Sequence, residues 1–102
     1  KITYSDISMY KDGASLSVED SYLIPVISSG VVTFIGEKEG YGETIVIEDS
    51  EGVNIWYSNV TNINVNLYDY VKSGEFLACS NGNKLYLVFQ KDEEFLDYKK
   101  YL

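Results

Sequence analysis

The chain has 102 residues, 45% of them hydrophobic, and carries a net charge of −8 from sixteen acidic against eight basic side chains. That length suits one domain with a modest core and excludes two, while the charge repels phosphate backbones and anionic headgroups and so sets nucleic acid aside as a partner. Cys79 is the only cysteine and there is no histidine, which excludes an intrachain disulfide, a multi-thiolate metal cluster and any Ser-His-Asp arrangement.

Val, Ile, Tyr and Phe are prominent and proline occurs once, a composition that favours an all-β domain. No apolar run approaches the roughly 20 residues that cross a bilayer, and no charged-then-apolar signal segment opens the chain. A start at Lys1 rather than Met leads to the expectation of a domain, residues 1–102, excised from a larger membrane-anchored protein.

In chain order, Lys1 to Glu19 is weakly patterned, with Lys11-Asp12-Gly13 as its turn signal. Tyr22 to Ile27 and Val31 to Ile35 read as strands joined through Ser28-Ser29-Gly30, a first hairpin. The glycine-rich stretch Gly36 to Gly42 leads into Thr44 to Ile47, whose apolar character on both faces predicts a central strand. Asp49 to Gly52 turns the chain into Val53 to Tyr57. Asn62 to Leu67 alternates, with Ile63, Val65 and Leu67 opposite three asparagines, as a half-buried strand should.

After a loop from Tyr68 to Gly74, Phe76 to Cys79 predicts a short strand in which Cys79 is a small core residue. Ser80-Asn81-Gly82-Asn83 has the chemistry of a tight turn before Leu85 to Gln90. Phe95 to Asp97 predicts a last short strand and Tyr98 to Leu102 one helical turn.

Several fragments, taken in order, resemble one known family. Pro25-Val26 and Gly30-Val31-Val32 fit a "PV.A...G.V" hairpin, and Gly40 to Ile47 fits "GYGN.V.I.H". Gly52 to Tyr57 with Ser58-Asn59-Val60 fits "G....Y.HL", and Val65, Val71, Lys72, Gly74 and Glu75 fit "V..GD.V..G". Tyr86 to Gln90 stands in the place of "HLHFE", and Leu96-Asp97 with Tyr101-Leu102 resembles "VDP..YL". Together these resemble the lysostaphin-like or LytM-type zinc endopeptidases over Tyr10 to Leu102. The resemblance implies a two-layer antiparallel β-sandwich and a zinc site built from two histidines and an aspartate, with two further histidines serving the bound water.

The departures fall on those functional positions. Lys11 and Ser15 stand at the "H.G.D" turn, Asn59 replaces the "Y.HL" histidine, and Tyr86 and Val88 replace the H-x-H pair. Valine has no ligand atom and lysine repels a cation, so no metal or cofactor site is expected at Lys11, Ser15, Asn59, Tyr86 or Val88. Residues two apart on a strand share a face, so Tyr86 and Val88 should point together into the former cleft. Its closure is the expectation over retained binding.

The expected function is therefore a noncatalytic, extracytoplasmic interaction or regulatory module. Its partners would be other membrane-anchored or extracytoplasmic bacterial proteins. Asn66 to Gly74 and the compact ending resemble stage IV sporulation protein FA-like members, which implies a role in holding or inhibiting an intramembrane protease. Two alternatives are a peptidoglycan-binding module lined by Tyr57, Asn59 and Tyr86, and a barrel-sandwich adaptor with Lys84 at a hairpin tip. Tyr57, Tyr68 and Tyr70 are candidate interaction residues, Tyr68 and Tyr70 the better ones because they flank Asp69 in a loop. Asp92-Glu93-Glu94 reads as a solvated turn rather than a calcium loop, Asn59-Val60-Thr61 as a chance sequon, and Glu43, Glu48 and Asp49 as strand ends rather than a glycosidase pair.

Overall fold

The computed structural model describes all residues, Lys1 to Leu102, as eleven strands and one 3-10 turn. The strands are β1 (Asp6–Tyr10), β2 (Gly13–Ser17), β3 (Leu23–Pro25), β4 (Gly30–Lys38), β5 (Gly42–Asp49), β6 (Asn54–Ser58), β7 (Val60–Thr61), β8 (Tyr70–Val71), β9 (Phe76–Ser80), β10 (Lys84–Lys91) and β11 (Glu94–Phe95). They form an eight-stranded sheet in the order β1-β2-β10-β6-β5-β4-β8, with β11 on β10, and a three-stranded sheet in the order β3-β9-β7. All strand pairings are antiparallel. The expected all-β sandwich of a larger on a smaller sheet is therefore found, as is a final turn, at Tyr98–Lys100.

The inner face of the large sheet carries Leu16, Ile45, Ile47, Ile55, Tyr57, Leu85, Leu87 and Phe89, which meet Ile24, Leu77 and Ala78 of the small sheet in one core. β5 lies between β4 and β6 with Thr44 to Ile47 all buried, as its two-sided apolar pattern predicts. Cys79 is buried beside this core, as expected.

Two predicted elements differ. Tyr22 to Ile35 is not a hairpin: β3 pairs with β9 in the small sheet while β4 enters the large one, so the Ser28 to Gly30 segment carries the chain between layers. Pro25 sits at a register shift on the edge strand β3, where its missing N–H costs no ladder bond. Asn62 to Leu67 forms no strand; Asn62 takes a left-handed φ of 50°. Ile63 and Val65 still pack on the core, but Leu67 is exposed, so the alternation reports burial without a ladder. The weakly patterned opening instead supplies a hairpin, β1 and β2, turning at Lys11 and Asp12.

Candidate functional site

The outer face of the large sheet is where the sequence-predicted site positions gather, and its side chains follow from the register. One row across the strands reads Ser15, Tyr86, Ser58, Thr44 and Gly36. The neighbouring row reads Val88, Trp56, Val46 and Phe34. Phe34 reaches this face because a bulge between Val32 and Phe34 inserts Thr33 and re-aims the strand. Without it Phe34 would point into the core.

Ser15 and Tyr86 are direct cross-strand neighbours, and Val88 shares their face. Val88 is fully buried. A Cβ on Gly13 would lie 2.2 Å from the Leu87 carbonyl oxygen and 2.9 Å from a Val88 methyl, so β2 and β10 approach too closely here for any side chain but hydrogen. Lys11 stands at the β1–β2 tip, its stem packed over Gly40 and its ammonium 5.7 Å from the Tyr10 ring centre. Asn59 does not join the group. In a left-handed conformation, φ 66°, it donates from Nδ2 to the carbonyls of Asn81 and Lys84 and ties down the β9–β10 turn. Both hydrogens of that amide are thereby engaged on the β9–β10 turn rather than in the cleft.

Aromatic rings occupy the rest of the face. Tyr10 stacks on Tyr86 with centroids 4.2 Å apart, and Tyr41 meets Tyr10 and Trp56 edge-on at 5.8 and 5.4 Å. Trp56 in turn meets Phe95 at 6.0 Å. The Lys38 ammonium lies 4.3 Å from the Trp56 ring centre and 4.5 Å from that of Phe34, a cation–π pairing internal to the domain. The Tyr10 hydroxyl donates to the Gly40 carbonyl, and the Tyr41 hydroxyl accepts from the Asp12 N–H, so both rings bind the β1–β2 tip to the β4–β5 loop. Beneath them Thr44 and Ser58 are buried and hydrogen-bonded to each other at 2.7 Å. Desolvation by burial raises the Tyr86 phenol above its ordinary pKa, with the Tyr10 phenol adding to it, and burial does the same to Tyr41.

The donor set does not fit a tetrahedral zinc ion. The positions that the family resemblance assigns to ligands hold a cationic lysine, a neutral serine hydroxyl and a buried valine, and nowhere do three His, Cys, Asp or Glu side chains converge. Tyr10, Tyr41 and Trp56 were not legible as site residues from spacing alone. Period-two reading of β6 does provide a signal for Trp56, since Tyr57 beside it faces the core.

Other candidates separate clearly. Tyr57 is a correction: it is fully buried, its hydroxyl accepts from the Ile27 N–H at 2.9 Å, and burial drives its phenol pKa strongly upward. It cannot present a surface, because β6 directs it inward. Tyr68 and Tyr70 are exposed, as expected. Lys84 donates to the Ser17 hydroxyl at 2.9 Å beside the tight Asn81–Lys84 turn. Asp49 accepts from the Glu51 and Val53 N–H groups, capping a turn at the end of β5 opposite Glu43. Asp92 and Glu93, both at positive φ, form the exposed β10–β11 turn.

A family model described as Peptidase family M23 matches residues 9–97. No curated protein matches the chain by sequence. Among solved structures, the catalytic domain of the antimicrobial peptidase lysostaphin from Staphylococcus simulans has a TM-score of 0.80 at 19% identity, over 99% of this chain and 89% of that one. Csd3 from Helicobacter pylori has a TM-score of 0.86 at 20% identity, over 98% of this chain and 33% of that one. A catalytic-domain mutant of the prophage-encoded M23 protein EnpA from Enterococcus faecalis has a TM-score of 0.77 at 18% identity, over 92% and 80%. At these identities the likeness is one of fold.

Proposed function

The chain belongs to peptidase family M23, and from that premise we propose that it is a noncatalytic member, an extracytoplasmic interaction or regulatory module tethered to the bacterial membrane through a segment outside residues 1–102. One observation carries the reading: the face that would hold a metal and its water is closed by packed side chains. Val88 is fully buried there, and Tyr86, which lies between Ser15 and Ser58 across the strands, stacks face to face on Tyr10. A zinc hydrolase needs neutral or anionic donors and an open coordination position for water. Lys11 and Val88 supply no such donor, and the lone Ser15 hydroxyl does not make a ligand set.

A retained fold without reactive groups is suited to binding, and fold alone does not specify chemistry. As part of this proposal, the resemblance over Asn66 to Gly74 supports a setting among membrane-anchored partners of a sporulation complex. A peptidoglycan-binding module is less well supported, because Tyr57 is buried and Asn59 is engaged, which removes two of the three side chains that would line its groove.

The test is direct. The purified chain, incubated with zinc and desalted, is expected to retain no stoichiometric metal by elemental analysis and to cleave neither peptidoglycan nor pentaglycine peptides. One zinc per chain together with cleavage abolished by a chelator would overturn the proposal.

A further inference from the structure

Four apolar side chains lie open to water where the β8 edge of the large sheet meets the start of β9 in the small one. Tyr68 is 75% exposed, Tyr70 64%, and Phe76 and Val31 38% each. Val31 and Tyr70 face each other across β4 and β8, and Tyr70 and Phe76 wall a cleft of about 350 Å³. Neighbouring exposed apolar groups of this kind mark contact surfaces more often than scattered single ones do.

The chemistry of the rim selects the occupant. Asp69 and Glu75 line the same cleft, and no lysine does. Each carboxylate uses one oxygen internally, Asp69 Oδ2 accepting from the Asn66 N–H and Glu75 Oε1 from the Lys72 N–H, which leaves the second oxygen of each without an internal bond. Glu48, exposed and cross-strand from Val31, adds a third negative charge. The rings here are also unpaired: Phe34, Trp56 and Tyr10 carry internal lysines, whereas Tyr68, Tyr70 and Phe76 have neither a cation nor a second ring against them.

Resting on the interaction-module reading above, we propose that this surface docks an extended, cationic segment of a partner protein, with a lysine or arginine side chain seated between Tyr70 and Phe76 and held by Asp69 and Glu75. Aromatic faces and carboxylates together favour a desolvated cation. The two-residue β8 ends the sheet, so an extended segment finds an open strand edge beside the cleft. An anionic lipid or nucleic acid would meet three carboxylates instead.

The experiment is an amide chemical-shift titration of the 102-residue chain with a blocked peptide, Val-Lys-Val-Arg-Val, against the same peptide carrying norleucine at both cationic positions. Shifts should centre on residues 67–76 and 30–32, weaken as salt rises, and be weaker by at least about fivefold for the norleucine peptide. The Asp69→Asn, Glu75→Gln double variant keeps both turn acceptors and should lose about fivefold in affinity. Tyr68→Gly suits the left-handed backbone at φ 73°, so it folds while removing the ring. Its affinity should also fall.

Equal binding of the norleucine peptide, or shifts centred on Tyr10, Trp56 and Tyr86, would overturn this assignment. So would sedimentation with purified peptidoglycan that Tyr70→Ala abolishes, which would put a glycan on this surface. Those outcomes leave the noncatalytic reading standing; chelator-sensitive cleavage would remove that reading whatever the peptides do.

Discussion

Two aromatic regions of the domain behave oppositely, one on the outer face of the large sheet and one where its β8 edge meets β9 of the small sheet. At the β2–β10–β6 end, Tyr10, Tyr41, Trp56 and Tyr86 contact one another, and lysines of the same chain lie over Trp56, Phe34 and Tyr10. At the β8 edge, Tyr68, Tyr70 and Phe76 face water with no ring partner. The residue types are the same, so composition does not distinguish them. Register and loop geometry do: β1, the β4–β5 loop, β6 and β10 bring the first set together, whereas the second set comes from β8, the loop before it and β9 and meets no other ring. A ring with internal partners contributes to stability, and a ring without them is free to bind.

The largest effect that would break this comparison is expected at Trp56. It is half-buried and touches Tyr41, Phe95 and Lys38, so Trp56→Ala should cost about 3 kcal/mol in urea unfolding, the low end for large aromatic truncations. A loss below about 1 kcal/mol would mean that the cluster is loosely held and the face is open. A double-mutant cycle of Tyr10→Ala and Tyr86→Ala should then show about 1 kcal/mol of coupling, the scale of an aromatic pair beyond its buried area. Strict additivity would dissolve the stack as a stabilising element.

Alkaline titration sharpens the same contrast. Desolvation raises the phenol pKa values of Tyr57, Tyr86 and Tyr41 in the folded state. The folded protein therefore holds these protons more tightly than the unfolded chain, whose tyrosines ionise near about 10. Their contribution to stability is complete below that pH and is lost as pH rises through the folded values. Urea midpoints should fall above about pH 10, with late-appearing phenolate absorbance accompanying unfolding. A midpoint that stays flat through that range would contradict the burial of these rings.

Much of the fold was legible because its signals are local and periodic. The two-sided apolar run Thr44 to Ile47 announced a central strand, and Asn81-Gly82 announced a tight turn, closed by the Asn81–Lys84 bridge. The ordered fragments from Pro25 to Leu102 identified the family over most of the chain. What was not legible depends on long-range pairing. Nothing in Tyr22 to Ile35 says that its two strands belong to different sheets, because that choice is made by β9, some fifty residues on. The outward aim of Phe34 depends on a bulge whose extra residue, Thr33, is an ordinary β former. For the site, the replaced positions Ser15, Tyr86 and Val88 could be read directly, whereas the rings that cover them come from β1, the β4–β5 loop and β6 and meet only through tertiary packing. Tyr57 was misread because tyrosine suits both a surface and a core with one hydrogen-bond partner; the Ile27 N–H provides that partner.

The smallest expected effect on stability lies at the open end. Tyr70→Ala removes a ring that is 64% exposed, and the unfolding free energy should change by no more than about 0.5 kcal/mol. Tyr68→Gly balances two opposing terms: relief of a left-handed non-glycine conformation at φ 73° is worth about 1 kcal/mol or more, and the added backbone freedom of glycine in the unfolded chain costs about 0.5–1 kcal/mol. The hydrogen bonds that fix the loop, Tyr68 N–H to the Val32 carbonyl and Asp69 N–H to the Asn66 carbonyl, involve backbone alone and survive the change. Stability should therefore stay level or rise slightly, measured by urea unfolding beside the parent chain. A loss comparable to that of Trp56→Ala would show that the Tyr68 ring is packed rather than presented, and the two aromatic regions would then differ in position but not in kind.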